Sequence, residues 1–193
     1  MKIRKQKNPY DSTIIFDLDS SEYDAEILKI LESGYTDSIH DAEITLRPQS
    51  YKKIHFTLIG NSICKKINNS FTSPEIINRN RKMRTALAGF RPLLRPTSLF
   101  YLMKKEYPSD INNKKYFRYS LIHSYVLLNK EYFYRLFQEI YGFKFNIYPH
   151  ITLMVGTSDY NEPKGFNGIG LDISYYFKSN KVKKISQTEF FKI

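Results

Sequence analysis

Two short stretches of this 193-residue chain set a histidine and a threonine two positions apart in apolar surroundings: "KKIHFTLIG", Lys52 to Gly60, and "YPHITLMVG", Tyr148 to Gly156. Their β-branched and aromatic residues predict a strand in each case. Side chains alternate faces along a strand, so His55 and Thr57 share one face and Ile54, Phe56 and Leu58 the other. The same parity sets His150 and Thr152 together, with Ile151, Leu153 and Val155 behind them. Each strand then has an apolar back fit to pack under a helix and a front that begins polar, as the floor of a cleft would. An imidazole, with an unperturbed pKa of about 6.5, can take or give a proton near neutral pH. Two imidazoles on opposite sides of one phosphate could deprotonate an attacking hydroxyl and protonate the departing oxygen without a metal. The hydroxyls of Thr57 and Thr152 could donate to the non-bridging oxygens as charge develops. One His-x-Thr pair on a strand reads as structural; two copies, each followed by Leu and soon by Gly, favour chemistry.

The elements that must carry these strands can be read along the chain. "STIIFDLDS" predicts a buried strand. "SSEYDAEILKILESGY" predicts a helix with Ser at its N-cap, acidic residues in the first turn, Ile27, Leu28 and Leu31 on one face and Gly34 as terminator. "AEITLRP" and the first His-x-Thr strand read as two strands joined at Pro48 and Gln49. A polar, basic segment follows, and a helix is expected from near Pro74, a residue suited to a first turn, towards Gly89. "PTSLFYLMKKE" and "FRYSLIHSYVLL" read as strands around a loop, "YPSDINNKKY". "KEYFYRLFQEIYG" carries Tyr132, Phe133, Leu136, Phe137 and Ile140 at helical spacing before Gly142. Two further strands are expected in the tail, around Ser179 and Asn180. No long Pro/Gly linker breaks the order. A strand, a helix and a His-x-Thr strand recur in the first and last thirds, which predicts two similar halves within a single domain spanning 1–193.

Composition narrows the class. Hydrophobic residues make up 41 % and aromatics 16 %, enough for a globular core rather than disorder. The single cysteine, Cys64, permits no intramolecular disulfide and no cysteine-based zinc site, and reads as a small half-buried side chain. The basic N-terminus lacks the apolar stretch of a secretory signal, and no run is long enough to span a membrane, so a cytoplasmic, membrane-free protein is expected. Thirty Lys and Arg against 19 Asp and Glu give a net charge of +11, a field that draws anions such as nucleotides.

The two motifs resemble those of the two-histidine (2H, LigT-like) phosphoesterase superfamily. "HFTLIG" and "PHITLMVG" are similar to its paired motifs, including the proline before the second histidine; "IIFDLD" resembles its opening strand, and Tyr119 to Tyr141 the segment before its second motif. The resemblance implies an α+β, bilobal fold with two antiparallel sheets and flanking helices around a central cleft. It also implies cofactor-free, metal-independent cleavage of phosphodiesters, with His55, Thr57, His150 and Thr152 as the catalytic set. The small size and lack of an RNA-binding module favour a small nucleotide or oligonucleotide substrate over a long nucleic acid. Viral relatives that destroy immune messengers such as cyclic GMP-AMP or 2′,5′-oligoadenylate are the nearest analogy, which would act in the host cytosol. The alternatives are a 2′,3′-cyclic phosphodiesterase that processes RNA ends and a non-catalytic protein that sequesters a nucleotide. A monomer is favoured.

Parity and composition suggest further substrate contacts. Lys53 is in phase with His55 and Tyr148 with His150. On "YSLIHSYVLL" the set Tyr119, Leu121, His123 and Tyr125 shares a face, so His123 or Tyr125 could meet a nucleobase. His40 reads as a surface residue. Lys65, Lys66, Arg79, Arg81, Lys82 and Arg84 form a basic cluster, read either as a solvated face or as a phosphate-gathering lid. Arg91 and Arg95 could fix a phosphate or bridge to carboxylates.

Overall fold

The computed structural model describes residues 2–19, 21–32, 46–49, 54–169 and 182–186. In chain order the elements are β1 (Lys2–Ile3), β2 (Ile14–Asp17), α1 (Ser21–Glu32), β3 (Arg47–Pro48), β4 (His55–Ile59), α2 (Asn61–Ser70), α3 (Ser73–Ala86), β5 (Leu94–Pro108), β6 (Lys115–Leu127), α4 (Lys130–Tyr141), β7 (His150–Thr157) and β8 (Val182–Ser186). The protein is therefore α+β. The chain divides into two compact units, the first made of Met1–Leu18, His55–Pro96 and Tyr125–Pro149, the second of Asp19–Ile54, Thr97–Ser124 and His150–Ile193. Among the described residues no helix is long and apolar enough to cross a membrane.

In the first unit β1, β2 and β4 pair antiparallel in that order. Phe16 and Phe56 are cross-strand partners, and both are fully buried with Ile14, Leu58 and Ile59. The core they form takes in Ile67 of α2, Ile76 and Met83 of α3, and Phe133, Phe137 and Tyr141 of α4. On α4 the buried residues fall at i, i+4 and i+8, one stripe of a 3.6-residue helix. Phe137 meets the rings of Phe145 and Phe143 edge-on at 4.4 and 5.2 Å between centroids. The helix stops at Gly142, whose φ of 79° lies in the left-handed region that glycine adopts without strain. Two polar side chains of this interior pair with each other and with the backbone: the Tyr141 hydroxyl donates to Asn80 Oδ1 at 2.9 Å, and Asn80 Nδ2 donates to the Pro9 carbonyl at 2.9 Å.

The polar segment after β4 is helical, as α2, which its Asn, Ser and Lys content did not predict; Ile67 is its one buried residue. The helix expected at Pro74 is α3. Glu75 closes a capping box there, its carboxylate accepting from the Thr72 N–H at 2.9 Å and the Thr72 hydroxyl at 2.8 Å. Those two bonds hold the Glu75 carboxyl below its ordinary pKa.

In the second unit the strands run in the order β3-β7-β6-β5-β8, with β7 antiparallel to β3 and β6, and β5 antiparallel to β8. Pro48 closes β3, paired with Met154, as the last residue of the expected strand "AEITLRP". Tyr101, Met103, Ile122 and Ile169 form a small core. On α1 the buried side chains among those described are Tyr23, Ile27 and Ile30, while Leu28, expected to face inward with Ile27, is 54 % exposed; the Leu31 side chain lies outside the described residues. Most of the two expected tail strands lies outside the described residues; β8 is the described part.

Candidate functional site

The first His-x-Thr pair stands on β4. From Ile54 to Leu58 burial alternates as the parity argument requires, with Ile54, Phe56 and Leu58 buried and His55 and Thr57 half-buried; Ile59, in phase with the pair, is buried and ends the alternation. Antiparallel pairing sets Asp17 opposite His55 and Ile15 opposite Thr57. Directly paired residues share a face, so a carboxylate stands next to the imidazole. Arg4 occupies that carboxylate: its Nε donates to Asp17 Oδ1 at 2.8 Å, and Nη2 reaches the same oxygen. The Arg4 backbone N–H donates to the Ile15 carbonyl at 2.8 Å, and Lys2 pairs with Asp17. One face of this small sheet thus carries an imidazole, a hydroxyl, a carboxylate and two cations. Asp17 and Arg4 escaped the sequence reading because only the pairing register brings them beside His55.

The second pair stands on β7, where His150 and Thr152 are half-buried and Ile151 and Leu153 buried. Ser124 pairs with His150 and Ile122 with Thr152 across β6, next to a register shift between Leu121 and Ile122. On the other side of β7 the Gln49 N–H donates to the Leu153 carbonyl at 2.7 Å. The buried Gln49 side chain and Thr152 both approach Gly168: a Cβ placed there would stand 3.5 Å from Gln49 Nε2, 3.9 Å from Thr152 Cγ2 and 4.0 Å from Thr152 Oγ1. Gln49 is thus an amide next to the second motif that no local pattern announced.

The remaining sequence candidates distribute differently. His123 pairs with Ile151, so it lies on the face of β6 and β7 opposite His150 and Thr152. It is buried there, with Nδ1 2.6 Å from Glu26 Oε1 of α1 and Nε2 2.6 Å from the Thr97 carbonyl. Its ring stacks on Phe100 at 4.2 Å. These contacts bury His123, expected to meet a nucleobase, on the face away from His150 and Thr152. Tyr125 is also buried, and its backbone N–H donates to the Pro149 carbonyl at 2.9 Å. Tyr148 is 42 % exposed. Lys53 and His40 lie outside the described residues.

The basic cluster falls on α2 and α3, and half of it is committed locally. Lys66 lies over the Phe143 ring at 4.3 Å and Arg79 over Phe71 at 4.1 Å. Arg79 also donates to the Ile140 carbonyl, and Arg84 to the Asp11 carbonyl. Arg81, reaching Asn78, is exposed, as are Lys65 and Lys82. Arg91 donates to the Phe90 carbonyl at 3.1 Å. Cys64 is half-buried, and burial pushes its thiol up to about 12. Among the described residues, no three His, Cys, Asp or Glu side chains group closely enough to hold a metal ion.

Comparison with protein-family models, with curated proteins and with solved structures returned no match to this chain.

Proposed function

We propose that this protein is a phosphodiesterase of the two-histidine type, acting on a small cyclic or 2′,5′- or 3′,5′-linked oligonucleotide, with His55, Thr57, His150 and Thr152 as its catalytic residues. The observation that carries the reading is the repetition itself: each motif opens a strand, and in each the histidine and threonine are half-buried on one face with buried apolar residues behind. In the proposed reaction one histidine takes the proton from a ribose hydroxyl beside the linkage. That oxygen forms a bond to phosphorus, the bond from phosphorus to the departing ribose oxygen breaks, and the other histidine protonates the oxygen that leaves. The products are a cyclic phosphate and a free hydroxyl end, with no net proton change. Thr57 and Thr152 donate to the non-bridging oxygens, where a single donor is worth about 10²–10³ in kcat. No step requires a bound metal. The bilobal architecture around a cleft, and cyclic dinucleotides or 2′,5′-oligoadenylates as substrates, are parts of the same proposal.

The test is to incubate the protein, with and without EDTA, with cyclic dinucleotides, 2′,5′-oligoadenylates and short RNAs ending in a cyclic phosphate, and to read products by chromatography and mass. Cleavage of one class with EDTA present, giving a cyclic phosphate or its hydrolysed form, is the expected result. A nucleotide retained intact would replace catalysis by sequestration.

A further inference from the structure

In the second unit, β5 and β6 enclose a turn closed by the Ser109 N–H donating to the Lys114 carbonyl at 2.7 Å. This hairpin carries Lys104, Lys105, Lys114, Lys115 and Arg118 against only Glu106 and Asp110. Arg118 is 9 % exposed, yet no carboxylate pairs with it among the described residues. The nearby acids are occupied. Glu106 holds Lys115 at 2.7 Å and Asp110 holds Lys164 at 2.8 Å. The buried Glu162 accepts from the Ser109 hydroxyl and from the Asp110 N–H at 3.2 Å.

What holds Arg118 is aromatic. Its Nε and Nη2 donate to Tyr116 Oη at 2.8 and 2.5 Å, and its guanidinium lies over the Tyr107 ring at 4.0 Å. Lys105 sits 5.1 Å from the centre of that same ring. Tyr107 supplies no counter-charge at neutral pH, because burial raises its pKa and outweighs the downward pull of Arg118. A buried guanidinium without a counter-ion is costly unless an anion completes it. Two donors remain to meet one. Arg118 Nη1 has no acceptor among the described residues, and Tyr116 Oη, which accepts twice from the guanidinium, still has its own proton to give.

We propose that Arg118, Tyr116 and Lys105 form a phosphate-binding site on this hairpin, and that its ligand is the backbone of a single-stranded oligonucleotide. A planar guanidinium fork matches a phosphate better than a lysine does. The other face of the hairpin repeats the pattern, with Lys104 4.4 Å from the centre of the Phe117 ring and 5.5 Å from that of Tyr119. Cations recurring along a strand on aromatic supports suit a polyanion rather than an isolated phosphate. None of its three residues belongs to either His-x-Thr motif.

The test uses the full chain and a short fluorescein-labelled single-stranded deoxyoligonucleotide, whose sugars lack the 2′-hydroxyl, read by anisotropy across a salt series. Arg118→Gln should weaken binding about tenfold or more. Lys105→Gln should lower the slope of log affinity against log salt by about 0.7, the share of one phosphate contact on a single strand. Binding lost in the double variant His55→Ala/His150→Ala but kept in Arg118→Gln would place the oligonucleotide at the His-x-Thr motifs and overturn the proposal. Parent-like binding by folded Arg118→Gln and Lys105→Gln would overturn the proposal; if Arg118→Gln fails to fold, Lys105→Gln decides alone. Flotation with phosphatidylglycerol vesicles that depends on Arg118, without oligonucleotide binding, would also overturn it, in favour of a membrane.

Discussion

At the scale of single residues, His123 and Thr152 show what neighbours do to a side chain. His123 has an oxygen close to each ring nitrogen, 2.6 Å away at Glu26 and 2.6 Å away at the Thr97 carbonyl, and a phenyl ring on its face. Glu26→Ala leaves that buried imidazole short of a partner and should cost about 1–3 kcal/mol of stability, measured by urea unfolding, with kcat unchanged. A large loss of kcat with little loss of stability would return His123 to the chemistry. Thr152 is the opposite case, because its surroundings leave a narrow tolerance. Gly168→Ala adds a Cβ at ordinary contact distances from Gln49 and Thr152 and should be neutral. Gly168→Val drives methyl groups towards both and should lower kcat/KM by up to about 10²-fold through misplacement of the threonine. Equal activity of the two variants would show that Thr152 need not be held where it is.

At the scale of elements, α4 anchors the first unit through Phe133, Phe137 and Tyr141. Phe137 is fully buried among other rings, so Phe137→Ala should destabilise by about 3–5 kcal/mol, read as a fall in the urea midpoint at constant slope. A loss below about 1 kcal/mol would mean that the aromatic stack collapses to fill the space. This helix was legible in the sequence because its apolar stripe and terminating glycine are both local signals. So were β4 and β7, whose alternation is written into "HFTLI" and "HITL". The face of α1 was not, because Ile27 and Leu28 are adjacent and only packing decides which turns inward. Nor was α2, where a single buried isoleucine carries the amphipathic signal. The site was legible to the same extent: each histidine and threonine follows from local parity. Asp17, Gln49 and the orientation of His123 depend on strand register, which is a long-range property.

At the scale of the whole molecule, several buried acids must stay protonated in the folded state. Burial pushes Tyr23 up to about 12 and Cys64 up to about 12, and raises Tyr141 further. Above pH 9, the ordinary value for the thiol, the unfolded chain gives up protons that the folded chain retains. Stability from these groups is therefore full below about pH 9 and is lost as pH rises towards 12. Chemical denaturation at stepped pH should show this fall; a flat profile through pH 11 would mean that the three side chains are hydrated in solution. The central claim concerns a property of the whole chain, that two motifs far apart in sequence serve one phosphate. Groups that act as a unit lose activity non-additively. The most direct measurement is kcat on the best substrate for His55→Ala, His150→Ala and the double variant, each shown to be folded. Each single change should cost about 10²–10⁴-fold, and the double variant should be little worse than the poorer single one. Losses that multiply, or a single variant with parental turnover, would contradict the account.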